Sequence, residues 1–124
     1  MKLKALLILK ALVSIGFGIL LLAIPEKLLS FLGISVGPGG LFMAREYGGA
    51  LVGIFFLCWF ARNAEFSKAV KAIILFGFVY DIVNLGVSLY AQFNNIMNAL
   101  GWCIVGVYLV FTLGFGYFLI KQPK

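Results

Sequence analysis

Histidine is absent from the 124-residue sequence, and acidic side chains are scarce, with four Asp and Glu residues against ten Lys and Arg residues. Without histidine, the chain lacks the commonest metal ligand, axial haem ligand and general base. We therefore expect neither a metal site nor a cofactor. The only two cysteines, Cys58 and Cys103, fall near opposite faces of the membrane in the span assignment given below, too far apart for a disulfide. We interpret both as packed thiols.

Charged residues of either sign are also rare, at 11% of the chain, whereas hydrophobic residues make up 64% and the mean hydropathy is +1.13. These values lie outside the range of soluble domains and indicate an integral membrane protein. The net charge of +6 could favour nucleic acid, but the aromatic residues lie inside apolar runs rather than among clustered basic residues. We therefore expect the lipid bilayer, and not nucleic acid, as the surrounding partner.

Four long apolar runs occupy residues 5–24, 41–61, 69–90 and 98–120. Each has about 20 residues or more, which at about 1.5 Å per residue crosses a hydrocarbon core of about 30 Å. The sequence therefore predicts an all-α fold, an antiparallel bundle of four transmembrane helices that forms a single domain over residues 1–124. The first run begins like a secretory signal, but no A-x-A-like cleavage site precedes Pro25, and we expect it to be retained as a span.

The basic residues are distributed unevenly about these spans. With the N-terminus inside, eight lie on the cytoplasmic side, namely Lys2, Lys4, Lys10, Arg62, Lys68, Lys71, Lys121 and Lys124. Only Lys27 and Arg45 then lie outside, so the positive-inside rule predicts cytoplasmic termini in a plasma or inner membrane. Residues 25–34, PEKLLSFLGI, are expected to form a short helix in the outer interface, with Pro25 in its first turn. The following SVGPGG is typical of a turn.

Small and polar residues form stripes along the predicted spans, and such stripes mark helix interfaces in lipid. In the second span, Gly49 and Gly53 form a G-x-x-x-G motif one turn after Arg45. In the third span, a stripe begins at Gly77 and continues through Asp81, Asn84 and Ser88. The motif is common by chance in apolar helices, and we prefer helix packing to ligand binding as the role of Gly49, Gly53 and Gly77.

Asp81 is the most unusual residue of these stripes, because it lies about 18 Å from the inner end of its span. The candidate intramembrane polar cluster comprises Asp81, Arg45, Glu46, Asn84, Tyr80 and Tyr108. A carboxylate facing lipid is unfavourable, so Asp81 should face the bundle and either pair with Arg45, which lies at a similar depth, or take up a proton. Lys10 and Lys27 are expected to snorkel to their nearer interface.

Two interpretations of Asp81 stay open at this point. In one, a buried Arg45–Asp81 ion pair fixes the register of the helices and has no other role. In the other, Asp81 is a proton or cation site that opens outward, lined by the remaining members of the cluster.

Three features mark the layout of the chain, namely Pro25 after the first span, AREYGG at 44–49 opening the second span and NALGW at 98–102 opening the fourth. In these features the layout is similar to that of the small DoxX-like four-helix membrane proteins and their uncharacterised relatives. The resemblance covers most of the chain in arrangement and implies the four-helix fold. Some members of that grouping are associated with membrane redox or stress-related complexes. This chain has neither a cysteine pair nor a histidine, so no redox role transfers to particular residues.

Three functions compete. The preferred one is a membrane-embedded subunit or partner protein whose polar cluster holds its shape, acting as a homo-oligomer or with another membrane protein. The alternative is a homodimeric, proton-coupled carrier of small or cationic molecules, similar in size to small multidrug exporters. Their essential glutamate lies in the first span, which here has no acidic residue before Glu26. An enzyme on lipid or quinone substrates ranks third, because only Glu46 and Asp81 could supply acid–base chemistry. We assign no catalytic residue.

Overall fold

All regular elements are α-helices over residues 2–121, the range that the computed structural model describes. The five helices are α1 (Leu3–Ala23), α2 (Pro25–Phe31), α3 (Pro38–Ala61), α4 (Lys68–Phe93) and α5 (Gly101–Ile120). Four of them, α1, α3, α4 and α5, are long and apolar enough to cross a membrane. Each overlaps one of the four apolar runs, so the all-α fold with four candidate spans is confirmed. A short helix also follows the first span, as predicted.

Prolines determine where two of the helices begin. Pro25 opens α2 and Pro38 opens α3, both within the first two helical positions. Proline suits these positions because its fixed φ is helical and its missing N–H would have no partner there. The turn predicted for SVGPGG is therefore shorter in the structure, since Gly37 is the N-cap and the two glycines after Pro38 are already helical.

Asn98 lies in the connection before α5 and not at the start of a span, because α5 begins only at Gly101. Its side-chain Nδ2 donates to the carbonyl oxygen of Phe31 at 3.0 Å. Its backbone N–H donates to Leu32 O at 2.8 Å. Gly33 beside it has a φ of +80°, a left-handed conformation that glycine adopts without strain. Asn98 thus ties the C-terminal end of α2 to the α4–α5 connection.

The helices pack as two pairs, α1 with α3 and α4 with α5, and the interface between the pairs is smaller. Where α1 crosses α3, Gly18 and Gly48 face each other. A Cβ on Gly48 would lie 3.0 Å from Gly18 O, and one on Gly18 would lie 3.1 Å from Gly48 O. Small residues allow this close approach of two backbones, which increases van der Waals contact between helices that have no hydrophobic drive to associate in lipid.

The three glycines predicted to lie at helix contacts differ in how closely other helices approach them. A Cβ on Gly77 would lie 2.8 Å from the ring of Phe115, so Gly77 does lie at a close approach. Gly49 and Gly53 are exposed, and an added Cβ on either would meet open space within the described chain. The close contact of α3 uses Gly48 instead. Neighbouring residues are about 100° apart around a helix, so the G-x-x-x-G motif faces away from α1.

Large apolar side chains cover much of the outer surface, including Phe60, Val83 and Leu113. In water such a surface would drive aggregation, whereas the hydrocarbon core of a bilayer accepts it. Cys58 is buried, as expected for a packed thiol, but Cys103 is exposed on the outer face of α5.

Candidate functional site

A buried ion pair joins α1 to α4. Lys10 Nζ lies 2.6 Å from Asp81 Oδ1, and the two residues are only 3% and 0% exposed. The prediction that Lys10 snorkels to the interface is therefore wrong. Lys10 lies about 10 Å along α1 from Leu3, and its stem extends into the bundle, where the carboxylate compensates its charge. A buried charge without such a partner is strongly unfavourable.

Arg45 takes no part in this ion pair, so the interpretation of Asp81 as the partner of Arg45, one of the two left open above, is wrong. It is exposed and lies beside a surface groove that is also lined by Glu26 and Lys27. The reason is the rotation of α3, because Tyr47, two residues on and about 200° around the helix, is the residue that faces α4. Glu46 is likewise exposed. Depth along the helix was similar for Arg45 and Asp81, but Arg45 points away.

Three tyrosines from three helices form a hydrogen-bonded group. The hydroxyl oxygen of Tyr47 lies 2.5 Å from that of Tyr80 and 2.6 Å from that of Tyr108. Tyr80 and Tyr108 belonged to the predicted cluster, whereas Tyr47, which bridges them, did not. Counting depth would have found it, because Tyr47 lies about 21 Å from Ala61, close to the level of about 18 Å counted for Asp81.

The ion pair and the tyrosines are neighbours. Lys10 Nζ lies 4.3 Å from the centroid of the Tyr80 ring and 4.7 Å from that of Phe111, within the range of cation–π attraction. The second carboxylate oxygen of Asp81, Oδ2, is buried and accepts no hydrogen bond within residues 2–121. The site therefore holds one acceptor with spare capacity beside a lysine that also contacts aromatic faces.

Asn84 lies on the same helix but does not join the group. Its Nδ2 donates to the carbonyl oxygen of Tyr80 at 2.8 Å, one turn back along α4. Thr112 Oγ1 makes the equivalent bond to the carbonyl of Tyr108 at 2.7 Å. Such local bonds satisfy polar side chains without a partner helix.

We call Lys10, Asp81, Tyr47, Tyr80 and Tyr108 the buried polar cluster. Its hydrogen bonds join α1 to α4, α3 to α4 and α3 to α5. Every one of them thus links the α1–α3 pair to the α4–α5 pair. The cluster supplies polar contacts at the junction where the helices themselves pack least.

A cavity of about 170 Å³ lies beside the cluster, between the helix pairs. The lining is almost entirely apolar and includes Phe17, Leu21, Leu51, Ile104, Val107 and Phe111, whereas Lys10, Ser14 and the three tyrosines border one side mainly through carbon atoms. Leu28 and Leu29 of α2, together with Met97, border it as well. An apolar cavity of about 150 Å³ in another protein holds benzene. This cavity therefore has room for a molecule of about one ring.

Metal binding finds no support in the described part of the chain, where no group of three or more His, Cys, Asp or Glu side chains is assembled. No family model matches the chain, and no curated protein or solved structure matches it. The resemblance to DoxX-like proteins accordingly stays a prediction, and the site must be interpreted from its own geometry.

Tyr47→Phe is expected to destabilise the protein more than Tyr80→Phe or Tyr108→Phe, because Tyr47 takes part in two hydrogen bonds and each of the others in one. With about 0.6 kcal/mol per interhelical hydrogen bond, the difference is about 0.6 kcal/mol. Equilibrium unfolding in detergent micelles would measure it. Tyr90→Phe serves as the control, since Tyr90 is 67% exposed. Equal effects of the three cluster substitutions would contradict the bridging role of Tyr47.

Proposed function

We propose that the chain is a small multi-pass membrane protein, acting as a membrane-embedded subunit or partner protein, that binds a small and largely apolar molecule in the cavity. The observation that carries this proposal is the cavity itself, an almost entirely apolar space between the helix pairs that the three tyrosines of the buried polar cluster border on one side. Binding sites for small molecules have this composition, mostly apolar with a few placed polar groups.

The side of the cavity wall that the tyrosines border offers a hydrogen-bond donor. Three tyrosine hydroxyls carry three hydrogens, and the two bonds within the group use two of them, which leaves one O–H for another acceptor. A ligand that complements this wall therefore carries an acceptor, such as a carbonyl or hydroxyl oxygen, on an apolar body.

We place the helices antiparallel in a plasma or inner membrane, with both termini on its cytoplasmic side. The excess of lysine and arginine on one side supports this orientation. Gly18, late in α1, meets Gly48 in the first half of α3, which is compatible with opposite helix directions. The cavity then extends from Lys10 towards α2 at the outer interface, and the ligand enters from the outer leaflet.

Benzyl alcohol is a suitable probe, because it combines one ring with one acceptor oxygen. At about 100 times its Kd, it should raise the free energy of unfolding of the wild-type protein by about 2.7 kcal/mol. Val107→Phe fills the cavity and should abolish this stabilisation. Val110→Phe is the matched control, since Val110 lies on the same helix but is 52% exposed and does not line the cavity. Unfolding in detergent micelles, followed by circular dichroism, provides the measurement.

Two results would contradict the proposal. One is equal stabilisation of the Val107→Phe and Val110→Phe variants, because benzyl alcohol would then act through the micelle. The other is equal stabilisation of the wild type by toluene and by benzyl alcohol, because toluene has the ring without the acceptor and cannot use the tyrosine donor.

A proton-coupled carrier is the second candidate, and one observation favours it. Lys10 both lines the cavity and holds Asp81, whose Oδ2 accepts no hydrogen bond from the described residues. Occupation of the cavity and protonation of Asp81 would then be linked through Lys10. Proton-linked uptake into vesicles tests this role, and retained flux in a folded Asp81→Asn variant would exclude Asp81 as the coupling site.

A further inference from the structure

A groove on the molecular surface brings together residues of α1, α2 and α3. It has a volume of about 520 Å³ and shares no lining residue with the cavity between the helix pairs. Two basic side chains, Lys27 and Arg45, line it together with Glu26. The rest of the lining is Ala23, Ile24, Pro25, Ser30 and Leu41. The groove therefore combines charged groups with apolar surface.

The short helix α2 separates the groove from the cavity. Leu28 and Leu32, one turn apart, border the cavity, whereas Lys27 and Ser30, also about one turn apart, line the groove. Arg45 approaches the groove from α3. The groove side of α2 is thus polar and lies where the sequence predicts the membrane interface.

The basic groups of the groove have no carboxylate at contact distance. Over residues 2–121 the only salt bridge is the Lys10–Asp81 pair, although Glu26 lies in the same groove. With two cations and one carboxylate, the lining carries a net charge of +1. A phosphodiester, with its single negative charge, complements that charge. Arginine binds phosphate oxygens through two parallel N–H groups, and lysine adds a point charge.

We infer that this groove binds the headgroup of an anionic phospholipid, with Lys27 and Arg45 on the phosphate and Glu26 accepting a hydrogen bond from a headgroup hydroxyl. A glycerol headgroup has this composition, since it joins a charged phosphodiester to free hydroxyls. A choline headgroup has no hydroxyl, and its cationic end would lie beside Lys27 and Arg45. The inference goes beyond the proposed ligand of the cavity and requires only that the chain spans a bilayer.

The surfaces next to the groove suit the acyl chains of such a lipid. Leu22 and Phe42, each adjacent in sequence to a residue of the lining, are exposed and can contact hydrocarbon. Arg45 lies about 10 Å along α3 from Pro38, and its stem can cover apolar surface while the guanidinium reaches the interface. Free phosphate would leave these apolar surfaces uncovered, so a phospholipid complements the groove better.

Native mass spectrometry tests the inference. The purified full-length protein, in detergent micelles free of other phospholipid, is titrated with phosphatidylglycerol, and the Kd of the first bound lipid is measured. Lys27→Gln and Arg45→Gln should each weaken binding about fivefold, and the double variant about thirtyfold. Lys68→Gln/Lys71→Gln is the matched control and should leave the Kd unchanged, because it removes the same charge from exposed residues outside the groove. Phosphatidylcholine with the same acyl chains should bind more weakly than phosphatidylglycerol.

Three results would overturn the inference. Equal weakening by the two double variants would mean that basic charge anywhere on the chain attracts the lipid. Equal binding of the two phospholipids would remove the role of the headgroup. Displacement of phosphatidylglycerol by inorganic phosphate at the same concentration would make the groove a site for a free anion.

The shape of the groove is tested separately from its charge. Ser30→Trp should block the groove and abolish binding of phosphatidylglycerol with both basic residues still in place. Phe31→Trp is the control, since Phe31 is exposed and does not line the groove. Equal binding by these two variants would also overturn the inference. Stabilisation by benzyl alcohol should be the same in all groove variants, so a failure here leaves the cavity proposal intact.

Discussion

Replacing Asp81 with leucine is expected to lower the free energy of unfolding by about 3 to 5 kcal/mol, because Lys10 is then left as a buried charge without its partner. Lys10 is 3% exposed and pairs with Asp81 at 2.6 Å, so little water can replace the lost carboxylate. Reversible unfolding of the purified protein in mixed micelles, followed by circular dichroism, measures the change.

The double variant Lys10→Met/Asp81→Leu should recover most of this loss, since removal of both charges leaves two apolar side chains in an apolar surrounding. Arg45→Leu is the control and should change stability by less than about 0.5 kcal/mol, because Arg45 is exposed. A destabilisation by Arg45→Leu as large as that by Asp81→Leu would argue for the Arg45–Asp81 pair that the structure does not contain.

Gly48→Leu should have the second large effect, a destabilisation of about 1 to 3 kcal/mol from overpacking. An added Cβ would lie 3.0 Å from both Gly18 O and the Cβ of Leu21, so α1 and α3 must separate. Gly49→Leu is the matched control, because the neighbouring glycine has open space around it. The same unfolding measurement, made on both variants at one protein-to-detergent ratio, gives the comparison.

The Gly49→Leu control also tests whether the G-x-x-x-G face contacts another molecule. If Gly49→Leu destabilised the protein as much as Gly48→Leu, the G-x-x-x-G face would have to pack against something outside the chain, such as a second copy. Repeating the measurement at several protein concentrations would distinguish the two cases, since only an intermolecular contact depends on concentration.

The positions of the helices followed from the sequence because span length and apolar composition depend only on the thickness of the bilayer. Local chemistry was similarly informative at Pro25, which opens α2 as proline does at a first helical position. Asn98 shows the limit of such local rules. Asn98 was predicted to begin the fourth span because apolar residues follow it. Its hydrogen bonds to the end of α2 instead hold it in the connection before α5.

The rotation of each helix about its axis was harder to predict than its position. These helices are apolar on all sides, so no amphipathic pattern marks an inner face. An error of one or two residues turns a side chain by about 100° or 200°. Two predictions were wrong for this reason. Gly49 was expected at the helix contact that Gly48 makes, and Arg45 was expected to face α4 where Tyr47 does.

Lys10 illustrates a different limit. Its position near one end of α1 favoured the interface, and only the packing of α1 near α4 brought Asp81 within reach. Two of the five members of the buried polar cluster, Asp81 and Tyr80, are adjacent in the sequence. The others come from three different helices, and one sequence contains little information on which helices are neighbours.

The separation of the two charges along the chain has a consequence for how the protein is made. Lys10 and Asp81 are 71 residues apart, and a ribosome adds about 5 to 20 residues per second, so the lysine is synthesised about 4 to 14 s before its partner. During that interval the nascent first helix carries an uncompensated cation, and its flexible stem can keep the ammonium at the lipid headgroups. Its move inwards must await the third span, so burial of Lys10 is a late step of biogenesis.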